Sequence, residues 1–140
     1  MFIGVRNPSL IIFFISLAVR LSVFLLVFFA VGQSAFILGD TVGYVGVAQN
    51  VLAGKGFSAV DVAGNFYLQD FRPPLYAIFA LISLVLGGDT ILLLVFQIIC
   101  ASLIPVLTYQ LGKEFISDKK SLILAVALAV VEPLLVFFSF

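Results

Sequence analysis

The residues best suited to chemistry lie in a polar stretch between hydrophobic segments. Asp40 precedes Tyr44 by four residues, a spacing that puts both side chains on one face of a helix. A carboxylate there can serve as a general base for an acceptor, as a metal ligand, or as the N-cap of the helix. The guanidinium of Arg72 can hold a phosphate by paired hydrogen bonds, or reach ordinary lipid headgroups. Lys55, between two glycines, can meet an anionic substrate or occupy a solvated turn.

Two further ionisable residues interrupt the hydrophobic segments themselves. Arg20 lies about ten residues after Leu10, and Glu132 about eleven residues after Ser121, so their depths nearly match at a rise of about 1.5 Å per residue. Such groups are costly inside a membrane span unless they are paired or face a cavity. We therefore expect Arg20 and Glu132 to form an ion pair that locks the first span against the third.

The composition excludes an ordinary soluble domain. Of the 140 residues, 64% are hydrophobic and 10% are charged, against about 45–50% and about 25% in soluble proteins. Seven basic residues balance seven acidic ones, so no global charge points to nucleic acid. The sequence has no histidine, which excludes Ser-His-Asp chemistry and histidine metal sites, and its single Cys100 excludes an internal disulfide.

Three stretches are apolar and long enough to cross a membrane, at about 10–31, 90–111 and 121–140. A signal peptide is the alternative for the first, but the apolar region of a signal peptide normally has only about 7–15 residues and no central arginine. A fourth stretch, Leu75–Leu86, starts after two prolines and ends at two glycines. Its length of about 12 residues is more typical of an interfacial or re-entrant helix.

The polar segment 32–89 connects the first two spans. Within it, apolar residues between Tyr44 and Leu52 recur at helical spacing, which predicts a short amphipathic helix that starts at Asp40 or Thr41. Lying beside a span, such a helix is expected to rest in the membrane interface. Residues 57–66 look irregular or weakly extended.

The basic residues orient these pieces. If the short helix does not cross, the lysine-rich link 112–121 shares one side of the membrane with Arg6, as the positive-inside rule prefers. The sequence thus predicts an all-α, multi-pass protein of the cell membrane, with a cytoplasmic amino terminus, three spans, and two juxtamembrane helices in an extracytoplasmic loop. Because the last span stops at Phe140 without a polar flank, we expect the natural protein to be longer.

Several stretches in this order carry a family resemblance. The first is Gly39-Asp40-Thr41-Val42-Gly43-Tyr44, followed by Ala48-Gln49-Asn50-Val51-Leu52 and Gly54-Lys55-Gly56-Phe57; then come Arg72-Pro73-Pro74-Leu75-Tyr76, 109–120 and 125–133. Together they resemble the start of the GT-C superfamily of membrane glycosyltransferases, in the branch of protein O-mannosyltransferases and lipid A aminoarabinose transferases.

This resemblance implies a function. The chain would be the opening part of a fold of about a dozen helices, which transfers a sugar from a polyprenyl-phosphate donor to a lipid, glycan or protein acceptor with inversion. Asp40 would match the family's catalytic carboxylate of the first external loop, and Arg72 would bind the donor phosphate or organise the loop. Tyr44, Lys55 and Tyr76 would contribute to substrate binding. The implied partners include membrane lipids and no nucleic acid.

One departure leaves metal dependence open. Many relatives carry a second acidic residue beside the catalytic one, where this chain has Thr41, so a divalent metal is neither required nor excluded. The alternative function is a non-catalytic membrane assembly subunit or a transporter fragment, in which these helices serve packing alone.

Overall fold

The computed structural model describes residues 7–36, 39–70, 72–87 and 90–132. The chain is mostly helical and divides into two compact units. One unit comprises residues 1–30 and 97–140, and the other comprises residues 31–96. The predicted spans lie mainly in the first unit, and the polar loop with its candidate chemistry lies in the second.

The first predicted span is a single helix, α1, which runs Pro8–Val31. Proline suits the first turn of a helix because the amide hydrogen that it lacks has no acceptor there. The interior residue Arg20 is fully buried and donates a hydrogen bond to Ser16 one turn earlier. Its Nε and Nη2 atoms have no hydrogen-bond partner in the described part of the chain. The ion pair with Glu132 therefore stays a prediction.

The second predicted span is two consecutive helices, α4 (Thr90–Ala101) and α5 (Ile104–Phe115), separated by a tight turn. The break lies just before Pro105, because proline has no amide hydrogen to donate to the carbonyl of Ala101. Ser102 lies in this turn, and its hydroxyl donates to the carbonyl of Ile98 at 2.7 Å, which satisfies the hydroxyl locally.

A third long apolar segment follows the link and forms α6, Lys119–Val131. Asp118 caps this helix: its carboxylate accepts hydrogen bonds from the Ser121 amide at 2.8 Å and from the Ser121 hydroxyl at 2.6 Å. These hydrogen bonds lower the pKa of Asp118, and the bond from the Ser121 hydroxyl has the largest effect. The rest of the predicted third span, 133–140, lies outside the described residues, as does Arg6.

Two helical stretches of the described chain are long and apolar enough to cross a membrane, namely Pro8–Val31 and Ile91–Phe115. Only 17% and 28% of their most apolar windows are buried, so these helices present apolar side chains outward. Phe29 and Phe115, for example, are 80% and 83% exposed. Exposed apolar surface of this extent requires an apolar environment or a partner surface. A third complete span is not seen in the described residues.

The second unit begins with a short 3-10 helix, Gln33–Phe36, and then α2, which runs Gly39–Leu52. Asp40 thus lies inside the first turn of α2, and the expectation that it or Thr41 precedes the helix as an N-cap is wrong. Gly54 lies in the turn that follows the last helical residue, and its φ of +72° is a conformation that glycine adopts without strain. The Gly54 and Lys55 amides donate to the carbonyls of Val51 and Asn50, which closes the helix with a Schellman motif.

Residues 57–68 form a β-hairpin where the sequence suggested irregular or weakly extended chain. Strand β1 (Ser58–Val60) pairs antiparallel with β2 (Phe66–Leu68). Asp61 shapes the turn by accepting hydrogen bonds from the amides of Asn65 and Ala63, both at 2.8 Å. The all-α prediction therefore lacks this small element. After the hairpin, α3 runs Pro74–Val85, as predicted within one residue.

Candidate functional site

The candidate site is built by α2 and α3, which lie side by side and point the same way. Three pairs of residues meet at successive turns: Asp40 with Arg72, Tyr44 with Tyr76, and Ala48 with Ala80. Ala48 and Ala80 are both almost completely buried in one apolar cluster with Leu93. The small alanine side chains let the two helices approach closely. The hairpin supplies the long connection that two parallel neighbouring helices need.

Asp40 and Arg72 form an ion pair at the amino-terminal end of this helix pair. The Arg72 Nη2 lies 3.5 Å from the Asp40 Oδ1. The Asp40 side chain is 91% exposed, whereas that of Arg72 is only 23% exposed. An exposed pair of this kind is worth at most about 1 kcal/mol, so it opens readily. The guanidinium is held by the fold, and the carboxylate is left accessible to an acceptor.

Tyr44 contacts the guanidinium from the side, and Tyr76 packs against Tyr44. The Arg72 Cζ lies 5.5 Å from the centre of the Tyr44 ring, within the range of a cation–π interaction. The Tyr44 ring in turn packs on Tyr76, with 4.6 Å between ring centres and an interplanar angle of 59°. The two aromatic residues therefore support Arg72 from α2 and α3, rather than projecting freely toward a ligand.

Gly43 makes the close approach of Arg72 to α2 possible. A Cβ atom at this position would lie 2.8 Å from the Arg72 Nε and closer still to the Cζ of that guanidinium. Real Cβ atoms do not approach other heavy atoms so closely, so any larger residue would displace the guanidinium. The sequence pattern did not single out Gly43, because the residue that approaches it is 29 positions further along the chain.

A pocket of about 350 Å³ opens beside Arg72, between α2 and the hairpin. Its walls come from one face of α2, from both strands and from Arg72 itself; the residues are Val42, Gly43, Gly46, Val47, Gln49, Asn50, Ala59, Val60, Tyr67 and Arg72. Asn50 ties the two walls together, because its Nδ2 donates to the Ser58 carbonyl at 2.9 Å. The sequence pattern did not indicate this pocket, because one of its walls is the hairpin, which was not predicted.

Lys55 is not part of this cluster. It follows the carboxy-terminal end of α2, where Leu52 is twelve positions after Asp40, which corresponds to about 18 Å of helix. The Lys55 Nζ lies 4.0 Å from the centre of the Phe66 ring, a cation–π contact that attaches it to the hairpin. The structure thus brings together four of the five predicted substrate-site residues and gives Lys55 a structural contact.

Within the described residues, no group of three or more His, Cys, Asp and Glu side chains is arranged to hold a metal ion. Compared with models of known protein families, with curated proteins and with solved structures, the chain has no match in any of the three. The resemblance to membrane glycosyltransferases therefore rests on the sequence motifs, and the candidate function must be argued from the geometry of the α2–α3 site.

Proposed function

We propose that this chain is the amino-terminal part of a membrane glycosyltransferase, which transfers a sugar from a polyprenyl-phosphate donor to an acceptor on the extracytoplasmic face. The observation that carries the proposal is the meeting of Asp40 and Arg72 at 3.5 Å, from segments 32 residues apart in the sequence. A firmly held guanidinium beside an accessible carboxylate provides a phosphate ligand and a proton acceptor in one place.

The surroundings of the pair suit a phosphate carried on a lipid. The amino-terminal ends of α2 and α3 lie together at the site, and their partial positive charge favours an anion. The face of α3 turned to solvent is an apolar stripe formed by Leu75, Ile78, Ile82 and Val85, which are 40–66% exposed. An exposed apolar stripe next to Arg72 is a suitable place for a prenyl chain or for the membrane interface.

The reaction follows from these roles. An acceptor hydroxyl attacks the anomeric carbon of the sugar, and its oxygen forms the new glycosidic bond. The bond from that carbon to the phosphate oxygen breaks, and the electron pair leaves with the polyprenyl phosphate, whose charge Arg72 stabilises. Asp40 takes the proton of the acceptor. Because inversion needs base and leaving group on opposite faces of the sugar, the ion pair must open when the donor binds.

The test is a transfer assay in membranes that contain the full protein, with radiolabelled polyprenyl-phosphate mannose, glucose and 4-aminoarabinose as donors. Asp40→Asn should lower transfer roughly 100- to 10,000-fold, the usual contribution of a general base, without weakening donor binding. Asp70→Asn is the matched control, because Asp70 is an exposed acid of the same loop.

Two outcomes would contradict the proposal. Unchanged transfer in Asp40→Asn would remove the base from the mechanism. Absence of both transfer and prenyl-phosphate binding in the wild-type protein would favour the non-catalytic membrane subunit or transporter fragment.

A further inference from the structure

The pocket between α2 and the hairpin has polar groups on several sides. Arg72 stands at one edge, Gln49 and Asn50 lie along α2, and Tyr67 contributes from β2. The Asn50 Nδ2 is engaged by the Ser58 carbonyl, which leaves the amide oxygen of Asn50 as an acceptor. A phenol, two amides and a guanidinium around one cavity match a ligand with several hydroxyl groups better than an apolar one.

The α2 wall of the pocket is open at Gly46. A Cβ atom built there would meet nothing within 4 Å, in contrast to Gly43, where it would collide with Arg72. The two glycines lie three residues apart, so both face the pocket side of the helix. Gly43 accommodates the guanidinium, and Gly46 leaves space for something that the chain itself does not supply.

The size and the connection to Arg72 narrow the choice of ligand. A volume of about 350 Å³ is at the small end of ligand pockets, which suits one sugar ring and not a long lipid or a peptide. The same guanidinium lines the pocket and contacts Asp40. A phosphate bound by Arg72 would therefore place its substituent at the mouth of the pocket, next to the carboxylate.

We propose that this pocket is the subsite for the sugar ring of the donor, a phosphate-linked pyranose whose hydroxyls bind Gln49, Asn50 and Tyr67. The inference rests on the proposed function, because it takes Arg72 as the phosphate ligand. It adds that the sugar, and not the prenyl chain, enters between α2 and the hairpin. Selectivity among sugars then depends on the residues of α2 and β2 that line the pocket.

The experiment compares the binding of two kinds of probe to the full protein in lipid nanodiscs. One probe is farnesyl phosphate; the others are farnesyl phosphates that carry mannose, glucose, galactose or 4-aminoarabinose. The wild-type protein should bind at least one sugar-bearing probe tenfold or more tightly than farnesyl phosphate. Gly46→Leu, which fills the pocket, should abolish that difference and leave the affinity for farnesyl phosphate unchanged. Ala53→Leu, an exposed change at the end of α2, is the matched control.

The outcomes separate the two proposals. If the wild-type protein binds all probes equally, or if Gly46→Leu keeps the preference for a sugar, the pocket is not the sugar subsite, and phosphate binding by Arg72 stands. If Gly46→Leu also loses farnesyl phosphate while its melting temperature is unchanged, the pocket holds the phosphate instead, and the subsite inference is overturned. If the wild-type protein binds none of the probes, the proposed function fails and the subsite fails with it.

Discussion

Replacement of Gly43 by alanine should weaken phosphate binding by Arg72 and leave the stability of the protein nearly unchanged. The added Cβ would lie 2.8 Å from the Arg72 Nε and closer still to the Cζ, so the guanidinium must leave its place between Asp40 and Tyr44. The helix itself gains from the change, because alanine is favoured over glycine in a helix interior by about 1 kcal/mol. This gain offsets part of the stability that is lost with the contacts of Arg72.

The magnitudes can be worked from the contacts that are lost. The exposed ion pair contributes at most about 1 kcal/mol, and the cation–π contact on Tyr44 contributes about 0.5–1 kcal/mol. These losses nearly cancel the gain in helix propensity, so the free energy of unfolding should change by no more than about 1 kcal/mol. A hydrogen bond to a charged group is worth about 1.5–3 kcal/mol. Loss of the bond between Arg72 and the donor phosphate should therefore weaken binding roughly tenfold to hundredfold.

The assay measures the affinity for farnesyl phosphate and the melting temperature of the same purified protein. Gly46→Ala is the control, since it brings the same gain in helix propensity and its Cβ meets no atom within 4 Å. We expect Gly43→Ala to melt near the wild-type temperature. Gly46→Ala should melt at or slightly above it, because no lost contact offsets its gain in helix propensity. Only Gly43→Ala should lose affinity. Equal affinities of the two variants would refute the conclusion that Gly43 positions Arg72 for a ligand.

Three further outcomes are expected. Asp118→Ala should lower the melting temperature, because the Ser121 amide loses its hydrogen-bond acceptor. The pKa of Asp118 is lowered in the folded protein, so this stabilisation is present at neutral pH and is lost as the pH falls below about 4. A pH series of melting curves of the wild-type protein and the variant measures this loss. Arg20→Glu and Glu132→Arg should each reduce the yield of folded protein, and the double exchange should restore it if the two residues pair; a double variant that is no better than the single ones would count against the pair. Lys55→Ala should leave the affinity for farnesyl phosphate unchanged, because Lys55 follows the far end of α2, about 18 Å of helix from Asp40. A loss of affinity would show that Lys55 takes part in phosphate binding.

The hydrophobic pattern was enough to locate the long helices. The segment 10–31 has only three polar residues among twenty-two, which leaves few alternatives to a helix. The helix α1 begins at Pro8, two residues before the predicted start, and ends at the predicted Val31. The short helix α3 was equally clear, because proline and glycine mark its ends. The break before Pro105 follows from the covalent structure of proline. In each case the cause lies within a few residues of its effect.

The hairpin was the main local feature that the pattern did not show. Its strands have three residues each and an exposed β2, too short for alternating hydrophobicity to stand out. The turn is set by hydrogen bonds from Asn65 and Ala63 to Asp61, whose pKa is lowered chiefly by the backbone hydrogen bond from Asn65. Similarly, the start of α2 at Gly39 removed the cap role expected for Asp40, since helix ends are less well specified by sequence than helix interiors.

What the sequence determined by itself is the set of candidate side chains and the helices that carry them. Asp40 and Tyr44 could be chosen by chemical type and spacing, because a four-residue interval puts side chains on one helix face whatever surrounds the helix. Arg72 could be chosen by its chemical type and its place before two prolines, and Tyr76 came from the family resemblance. What the tertiary structure decided is which faces meet. The pairing of Asp40 with Arg72 depends on small alanines that let α2 and α3 pack in parallel, and on a hairpin that returns the chain to the start of α2. Such contacts between distant segments leave no periodic trace in the sequence, and they alone create the pocket beside Arg72.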